Sequence, residues 1–420
     1  MPRKAKSALV IGGGVVGAAS AFRLRQLGLR TTLVDPCDGS AASLGNAGHI
    51  AVEQVAPLAS WPTIMSAPRR WFGRGGALDV SDPIVFLPWA SRFMAAARKE
   101  SFQSGSDALR SLLLHALPAW RRLAKEIGRT DLLSEAGHLL VWESTQTASK
   151  GRAAWEAADT GTARIQPLPE ATLDSLWGLT RNRPVDGIRF SGTAQVSDLG
   201  DLANSLEAAF LAAGGEIIAS RVESLSNKNG AASAHLANGQ NLTADIVLVA
   251  AGVGSARLMS GLGHRAPLIA ERGYHLRWTD HDWPADLSPI VFEDRSMIVT
   301  RFAGGLQAAS FVEFGTAGQK PDPRKWARLA AHVKALGLPV RGEPSAWIGC
   351  RPTLPDYLPA IGRSDTAQNL YYAFGHQHLG LTLGPITAEI VAALADGREP
   401  PVALQPFDLN RFESRKAKRA

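Results

Sequence analysis

The sequence predicts an α/β fold: a Rossmann-type dinucleotide-binding domain built from discontinuous segments, plus an α+β domain with an antiparallel sheet. Three observations carry that prediction. Near the N-terminus, the apolar run Ala8-Leu9-Val10-Ile11 enters the turn Gly12-Gly13-Gly14-Val15-Val16-Gly17. Far along the chain, Asp245-Ile246-Val247-Leu248-Val249-Ala250-Ala251-Gly252 is continuously apolar after its first residue, as a central strand of a parallel sheet is. Between Tyr274 and about Val312, short alternating strands separated by turns read as antiparallel.

The first element is a strand, turn, helix, strand and acid in the order that gives G-x-G-x-x-G its meaning. Gly12 permits the tight turn and Gly14 lets a pyrophosphate approach the backbone. Gly17 lets the helix, predicted from Val15 to about Leu27 and stopped by Gly28, pack on the strand. Phosphate charge then meets the free N–H groups of the helix N-terminus. Asp35 follows the second strand, Thr31 to Val34, and can accept hydrogen bonds from a ribose diol. Beyond it, Ser40 to Gly48 is a loop of small residues that permits close backbone approach.

Residues 60–100 are rich in Trp, Pro and Gly and show no clean period. Helical spacing of Leu109, Leu112, Leu113, Leu117, Trp120 and Leu123 predicts a helix over about Ser106 to Ile127, kinked at Pro118. His138 to Trp142 reads as a strand, and residues 150–190 as polar, turn-rich cover for a site. A helix is predicted from Leu199 to about Ala213, then a strand from Glu216 to Ala219. A hairpin turning at Asn238-Gly239 follows. The last predicted helix runs from Ile386 to about Ala395, with Pro385 before it and Gly397 past its end.

With 420 residues, two domains are expected. The net charge of +7 is spread along the chain, and no stretch interleaves basic and aromatic residues as nucleic-acid grooves do. Cys37 and Cys350 have no metal-ligand spacing, and two cysteines make no disulfide framework, so no metal is expected and the compartment is read as reducing and cytoplasmic. The basic Met1 to Ser7 leads into a glycine-broken strand rather than a signal sequence, and no apolar run is read as a membrane span. The tail Arg411 to Ala420, with Arg415, Lys416, Lys418 and Arg419, is expected to be a solvated end. Its other reading is a peripheral contact with anionic lipid on the inner face of the membrane.

Two further segments point to chemistry. Phe374 to Gly384 is a glycine-rich loop running into the final helix. Donors and a positive dipole end at that point suit the anion of a reduced flavin, which nicotinamide reduction does not create. Ile348 to Asp356 holds Arg351 between rigid neighbours, as carboxylate recognition requires; a structural ion pair remains the other reading.

Together, Gly12 to Gly17, Ser43 to Gly48, Ala250 to Gly252, Arg272 to Tyr274, Arg351 to Asp356, and Gly375-His376 with Gly380 resemble the D-amino-acid oxidase superfamily. The resemblance spans nearly the whole chain. It is nearest to the D-amino-acid dehydrogenase small subunits and their D-hydroxyproline-oxidising relatives. It implies an FAD-binding domain over 1–60, 190–265 and 345–400, a substrate domain over 61–189 and 266–344, and a basic tail over 401–420. Gly12, Gly14, Val15, Val16, Gly17 and Asp35 would hold the ADP half. Ser43, Asn46, Ala47 and Gly48 would line the pyrophosphate and flavin, Val222 the adenine, and Ala251 and Gly252 the ribitol. Gly375, His376, Gly380 and Thr382 would face the flavin pyrimidine edge. Arg351, Tyr274 and His376 would form the catalytic centre, the first two binding the substrate carboxylate.

Relatives with an arginine in the strand where this chain has Gln307 bind the carboxylate partly there, which shifts weight to Arg351 and to Arg301. Cys350 sits one residue from the position that attaches flavin in sarcosine-oxidase-like members, so FAD is expected to be non-covalent. His49, His376 and His378 are read as satisfied or flavin-contacting histidines rather than bases. The expected reaction is oxidation of a D-amino acid or cyclic imino acid, with D-proline and cis-4-hydroxy-D-proline as candidates. The Cα hydrogen leaves as hydride to flavin N5, and a quinone, the respiratory chain or oxygen accepts the electrons. Two alternatives stay open: a glycine- or sarcosine-type amine oxidase, and a non-catalytic FAD-binding subunit.

Overall fold

The computed structural model describes residues 5–413. Its first layer is a six-stranded sheet in the order Glu216–Ala219, Arg30–Asp35, Ser7–Ile11, Ile246–Val249, Leu370–Phe374, Ala360–Arg363. All neighbours are parallel except the last pair, which is a hairpin closing the edge. The four central residues Ile246 to Val249 are fully buried, as their unbroken apolar run requires. The first helix, Val15–Gln26, and the final helix, Gly380–Ala395, cover one face of this sheet in contact with each other. A Cβ on Gly384 would come within 3.2 Å of Val15.

The second layer is a nine-stranded sheet. Its long strands Ile269–Trp278, Gly305–Gly315 and Ser345–Thr353 pair antiparallel over most of their length. Two pairings are parallel, contrary to the purely antiparallel expectation: Ile290–Phe292 with His138–Trp142, and Leu78–Val80 with Gly305–Gly315. Ser345–Thr353 belongs to this sheet, although the sequence reading grouped it with the dinucleotide-binding segments. The Asn238-Gly239 hairpin forms as expected, between Ala231–Leu236 and Asn241–Thr243.

Several helices differ from the sequence reading. Residues 60–100 contain two, Trp61–Arg70 and Pro83–Ala96. Each starts with a proline behind a capping side chain, Ser60 or Asp82. On the second, exposed Ile84, Leu87 and Met94 blur the amphipathic period, and each helix has a proline inside it. Residues 145–157 and 170–177 are helical, not turns. The long helix begins at Lys99 rather than Ser106.

The final helix starts at Gly380, six residues before the predicted position, so that Pro385 is internal. Proline at 385 leaves the carbonyl of Leu381 without its helical donor. The indole Nε1 of buried Trp120 donates to that carbonyl at 3.0 Å. By length and composition Gln377–Ala395 is long and apolar enough to cross a membrane, contrary to the sequence reading, but here it is mostly buried as a core helix.

The chain end also differs. Val402, Phe407 and Leu409 are buried, and the Nε of Arg411 donates to Asp356 Oδ2 at 2.6 Å, so residues 402–413 are strapped to the body. Arg415, Lys416, Lys418 and Arg419, which carry the lipid-contact reading, lie outside the described residues.

Candidate active site

The glycine turn is built as its sequence demands. Gly12 has φ +105°, and a Cβ there would come within 2.5 Å of the Ala250 carbonyl oxygen on the adjacent strand. A Cβ on Gly17 would meet the Gly12 carbonyl at 1.8 Å, so this glycine serves helix–strand packing and does not line the cavity. Gly14 differs: nothing but Ser43 Oγ lies within 4 Å of the position its Cβ would take. No side chain caps the helix that begins at Val15. Asp35 accepts from Gly13 N at 2.6 Å and from Cys37 N at 2.8 Å, one bond on each carboxylate oxygen. Each oxygen keeps a second lone pair for a hydroxyl donor.

From this turn a single cavity of about 1450 Å³ runs to the nine-stranded sheet. That exceeds the ~300–1,000 Å³ usual for one small ligand and admits an extended cofactor with a substrate beside it. Ser43, Asn46 and Ala47 line it, as do Val222, Ala251 and Gly252. Gly252, at φ +54°, has open space where a side chain would stand. At the far end the uncapped start of the final helix, Gly380 and Leu381, reaches the wall beside His376. A cradle open at Gly14 and Gly252, an acid for the ribose and a second helix start at the other end fit FAD. Cys350 Sγ points to the Ala317 carbonyl at 3.9 Å.

Not every expected residue lines this cavity. Gly48 (φ +76°) and Gly375 (φ +79°) shape turns behind the wall. Thr382 is buried, and its Oγ1 accepts from Ala51 N at 2.9 Å, which locks the final helix to the segment after Gly48. His376 reaches the wall, but its Nε2 is paired with Thr387 Oγ1 at 3.0 Å. Burial pushes its imidazole down to about 3, so it is neutral at physiological pH.

Arg351 stands on the cavity wall and is only partly buried. Its Nη1 donates to Glu271 Oε1 at 3.3 Å and to the Phe311 carbonyl at 3.2 Å. Among the described residues its Nη2 has no hydrogen-bond partner. Buried Glu271 is fixed in turn by Thr353 Oγ1 and Tyr357 OH, each donating to Oε2 at 3.1 Å. The guanidinium lies across the neighbouring strand at Gly273, where a Cβ would come within 2.4 Å of Nη2. Half of the Arg351 fork is therefore engaged in an ion pair, and the other half has no protein partner among the described residues.

Tyr274 is a correction. Its residue touches the cavity, but its hydroxyl donates to Glu313 and accepts from Asp322 N at 3.1 Å. Lys325 Nζ lies 3.2 Å and Arg272 Nη1 3.5 Å from the same Glu313 carboxylate. The hydroxyl thus belongs to a buried charge cluster with Arg272 and Lys325 and is not free for a substrate carboxylate. Gln307 is likewise occupied, accepting from Arg277 and donating to the Asn46 carbonyl. Arg301 is absent from the cavity wall.

Sequence reasoning missed Glu271, which no motif marks, and a buried cluster of His49, Glu53 and His138 on the same wall. His49, expected to be satisfied or flavin-contacting, lines the cavity, and its Nε2 is buried with no hydrogen-bond partner. His275 was also unforeseen. It stacks on Trp347 at 4.9 Å and meets the Gly45 carbonyl at 3.2 Å.

Comparison with known proteins agrees with this geometry. Residues 7–394 match the family model for DAO, FAD dependent oxidoreductase. The chain is 29% identical to a D-amino-acid oxidase of Bradyrhizobium diazoefficiens, over 96% of this chain and 98% of the relative. It is 27% identical to a D-amino acid dehydrogenase of Paramagnetospirillum magneticum, over 97% and 99%. Among solved structures, glycine oxidase from Geobacillus kaustophilus superposes with a TM-score of 0.73 at 20% identity, covering 98% of this chain and all of that one. L-Proline dehydrogenase from P. horikoshii gives 0.71 at 14% identity, covering 98% of each. With a family match over almost its full length and a cavity shaped for the same cofactor, the chain belongs to the DAO family of FAD-dependent oxidoreductases.

Proposed function

We propose that this enzyme oxidises D-amino acids, with the cyclic D-proline and cis-4-hydroxy-D-proline among its substrates, to the corresponding imino acids. The observation that carries the reading is the half-engaged Arg351, whose free Nη2 faces the cavity that also holds the start of the final helix. A guanidinium fork recognises a carboxylate with directional hydrogen bonds. Glu271 holds the other half of the fork, so the carboxylate is placed rather than merely attracted. FAD, when bound, would supply the hydride acceptor for the Cα hydrogen. The protein's part is orientation: Arg351 fixes the carboxylate, and burial keeps the His376 imidazole neutral, so no charge is added beside the reacting carbon. FAD is read as non-covalent, because Cys350 is turned to Ala317.

The test is anaerobic bleaching of the yellow protein with D-proline, cis-4-hydroxy-D-proline, D-alanine, glycine and sarcosine. Fast bleaching by the first three supports the reading. Bleaching by glycine or sarcosine alone replaces it with an N-methyl or glycine oxidase, and no bleaching leaves a non-catalytic flavoprotein.

For the electron acceptor we favour a membrane quinone. Ile84, Met65, Leu87 and Trp61 are 85, 71, 66 and 53% exposed on the two helices of residues 61–96. Those helices also line the cavity through Ile64, Arg70, Phe86 and Phe93. Arg69, Arg70, Arg74 and Arg92 stand among them, a composition suited to an anionic bilayer surface. Co-sedimentation with phosphatidylglycerol vesicles, lost in Ile84→Glu/Leu87→Glu, is the expected result. Unchanged sedimentation would exclude these helices from membrane contact.

A further inference from the structure

We propose that Glu53, flanked by His49 and His138, receives the proton that the substrate ammonium group must lose before its Cα–H can leave. This rests on the amino-acid reading above and goes beyond it, because that reading assigns no group to the amine.

The geometry comes first. His49 lies on a short strand paired with Ala194–Val196, Glu53 follows one turn later, and His138 opens a strand of the large sheet. One ligand-capable atom from each side chain lies within 4.8 Å of the other two. His49 Nε2 and Glu53 Oε2 are 3.6 Å apart, and both are buried without a hydrogen-bond partner. Native proteins seldom leave two such atoms orphaned, so a missing partner is implied. His138 is held in place by Thr193 Oγ1 at 3.1 Å and by stacking on Phe190 at 4.4 Å.

Next comes what faces the carboxyl. From its own segment there are His49 and Gln54, whose side chain hydrogen-bonds the carboxyl; from the His138–Trp142 strand there is His138, and the loop before the final helix brings His378. The last is hydrogen-bonded to Gln54, the residue next to Glu53. Among the described residues no lysine or arginine forms an ion pair with Glu53. All of these groups line the cavity that Arg351 lines, and His378 is close enough to feel the Arg351 charge. One chamber therefore presents a cation and an uncompensated acid, the complement of an amino-acid zwitterion.

The ionisation states agree. Burial raises Glu53 to about 8, while burial and His378 hold His49 down to about 4. Glu53 is thus a neutral acid in the free enzyme at pH 7; the arriving ammonium makes it ionise, and its own proton passes to solvent before it takes the substrate's. In the step, an N–H bond of the ammonium breaks and an O–H bond forms on the Glu53 carboxylate. The electron pair stays on nitrogen, and it becomes the C=N π bond as the Cα–H pair leaves; bound FAD would supply the acceptor. Solvent water takes the proton that Glu53 first releases, and no other reactant is needed.

The experiment uses FAD-loaded wild type, Glu53→Gln and Glu53→Asp. α-Methyl-D-proline, which has no Cα–H, is titrated by calorimetry in two buffers of different ionisation enthalpy. Wild type should release close to one proton per ligand at pH 7, falling toward none above about pH 8 as free Glu53 ionises. Glu53→Gln should release none at pH 7, and cyclopentanecarboxylate, lacking the amine, none with either protein. In anaerobic reduction by D-proline, the rising limb of kcat/KM should move from about 8 in wild type to the amine's own pKa in Glu53→Gln. A displacement of about two pH units is roughly a 100-fold loss near neutrality. Glu53→Asp should keep the wild-type limb.

Equal proton release by wild type and Glu53→Gln, or an unmoved limb, overturns the proposal. So does one equivalent of a divalent metal bound by wild type and lost in Glu53→Gln, since the three residues would then be its ligands. If no amino acid reduces or binds to the yellow wild type, the amino-acid reading fails instead.

Discussion

Gly273→Ala isolates the positioning of Arg351 from everything else in the site. A Cβ at 273 would lie 2.4 Å from Arg351 Nη2 and 2.7 Å from its Cζ. An ordinary contact of this kind is about 3.5 Å, so the guanidinium must retreat by roughly 1 Å. The clashing atoms are the tip of a long side chain, so the fold accepts the methyl group. The strand conformation suits alanine, because Gly273 is not among the positive-φ glycines. What gives way is the pair of bonds from Nη1 to Glu271 and the Phe311 carbonyl, now at 3.3 and 3.2 Å, and with them the direction of the free half of the fork. A misplacement of about 1 Å at a positioning group costs up to ~100-fold. The expected loss in kcat/KM for D-proline is therefore about 10- to 100-fold, mostly in KM, with the FAD content of wild type. Stopped-flow reduction and the flavin absorbance ratio measure both. Arg351→Ala should raise KM at least as far with FAD retained, and Gly273→Ala added to it should change the rate less than about twofold, because the clash then has no target. A kcat/KM within twofold of wild type in the single Gly273→Ala variant would refute the claim that Arg351 holds the substrate.

Three other outcomes follow from particular contacts. Trp120→Phe leaves the Leu381 carbonyl, already deprived of a helical donor by Pro385, without a partner, and should cost about 1–3 kcal/mol in urea unfolding; an unchanged midpoint would mean that water replaces the indole. Gly14→Ala has room in the protein alone, where only Ser43 Oγ stands near, so the FAD-free variant should unfold like FAD-free wild type while its FAD affinity drops at least tenfold; wild-type affinity would show that no pyrophosphate passes there. Acid should destabilise the protein early. Burial holds His49 and His275 down to about 4, and His376 and His378 down to about 3. Their folded pKa values lie below the unfolded ~6.5, so their contribution is complete above about pH 7 and is lost as pH falls, at about 2 kcal/mol per imidazole by pH 5. Glu53, raised from 4.5 to about 8, has the opposite sign: its neutral form favours the fold fully below about 4.5, and that benefit is lost as pH rises from there to about 8. A urea midpoint no lower at pH 5 than at pH 7 would show that these imidazoles are wet.

The ADP end of the site was legible because backbone geometry builds it. Gly12, Gly14 and Gly17 act through absent side chains, and their spacing of two and three residues lies within one turn, so local sequence contains the whole instruction. The same is true of Asp35 at the end of its strand, and of Ile246–Val249, whose burial on both faces is written as an unbroken apolar run. The two helices of residues 61–96 were not legible. On the second, exposed Ile84, Leu87 and Met94 blur the pattern that marks a helix, and Pro68 and Pro88 sit inside them. The final helix was found but started late. Pro385 resembles a first-turn proline, and the indole that makes it tolerable comes from Trp120, 261 positions away from the carbonyl it caps.

The substrate end fails to be legible for a related reason. The resemblance gives Tyr274 and Arg351 one shared role, but side chains on a strand alternate in direction. Glu271, Gly273 and Arg351 share the cavity face, while Arg272 and Tyr274 turn into the buried cluster with Glu313 and Lys325. A bulge between Arg272 and Tyr274 in the pairing with Gly305–Gly315 makes the alternation hard to count from sequence. The pairing that decides the chemistry is Glu271 opposite Arg351, set by strand register across 80 residues. A register shifted by one residue would place Cys350 or Pro352 there and leave Glu271 buried without a cation. The proposed carboxylate clamp is therefore a property of the sheet rather than of any motif, which is why Gly273, a residue with no side chain, is the sharpest probe of it.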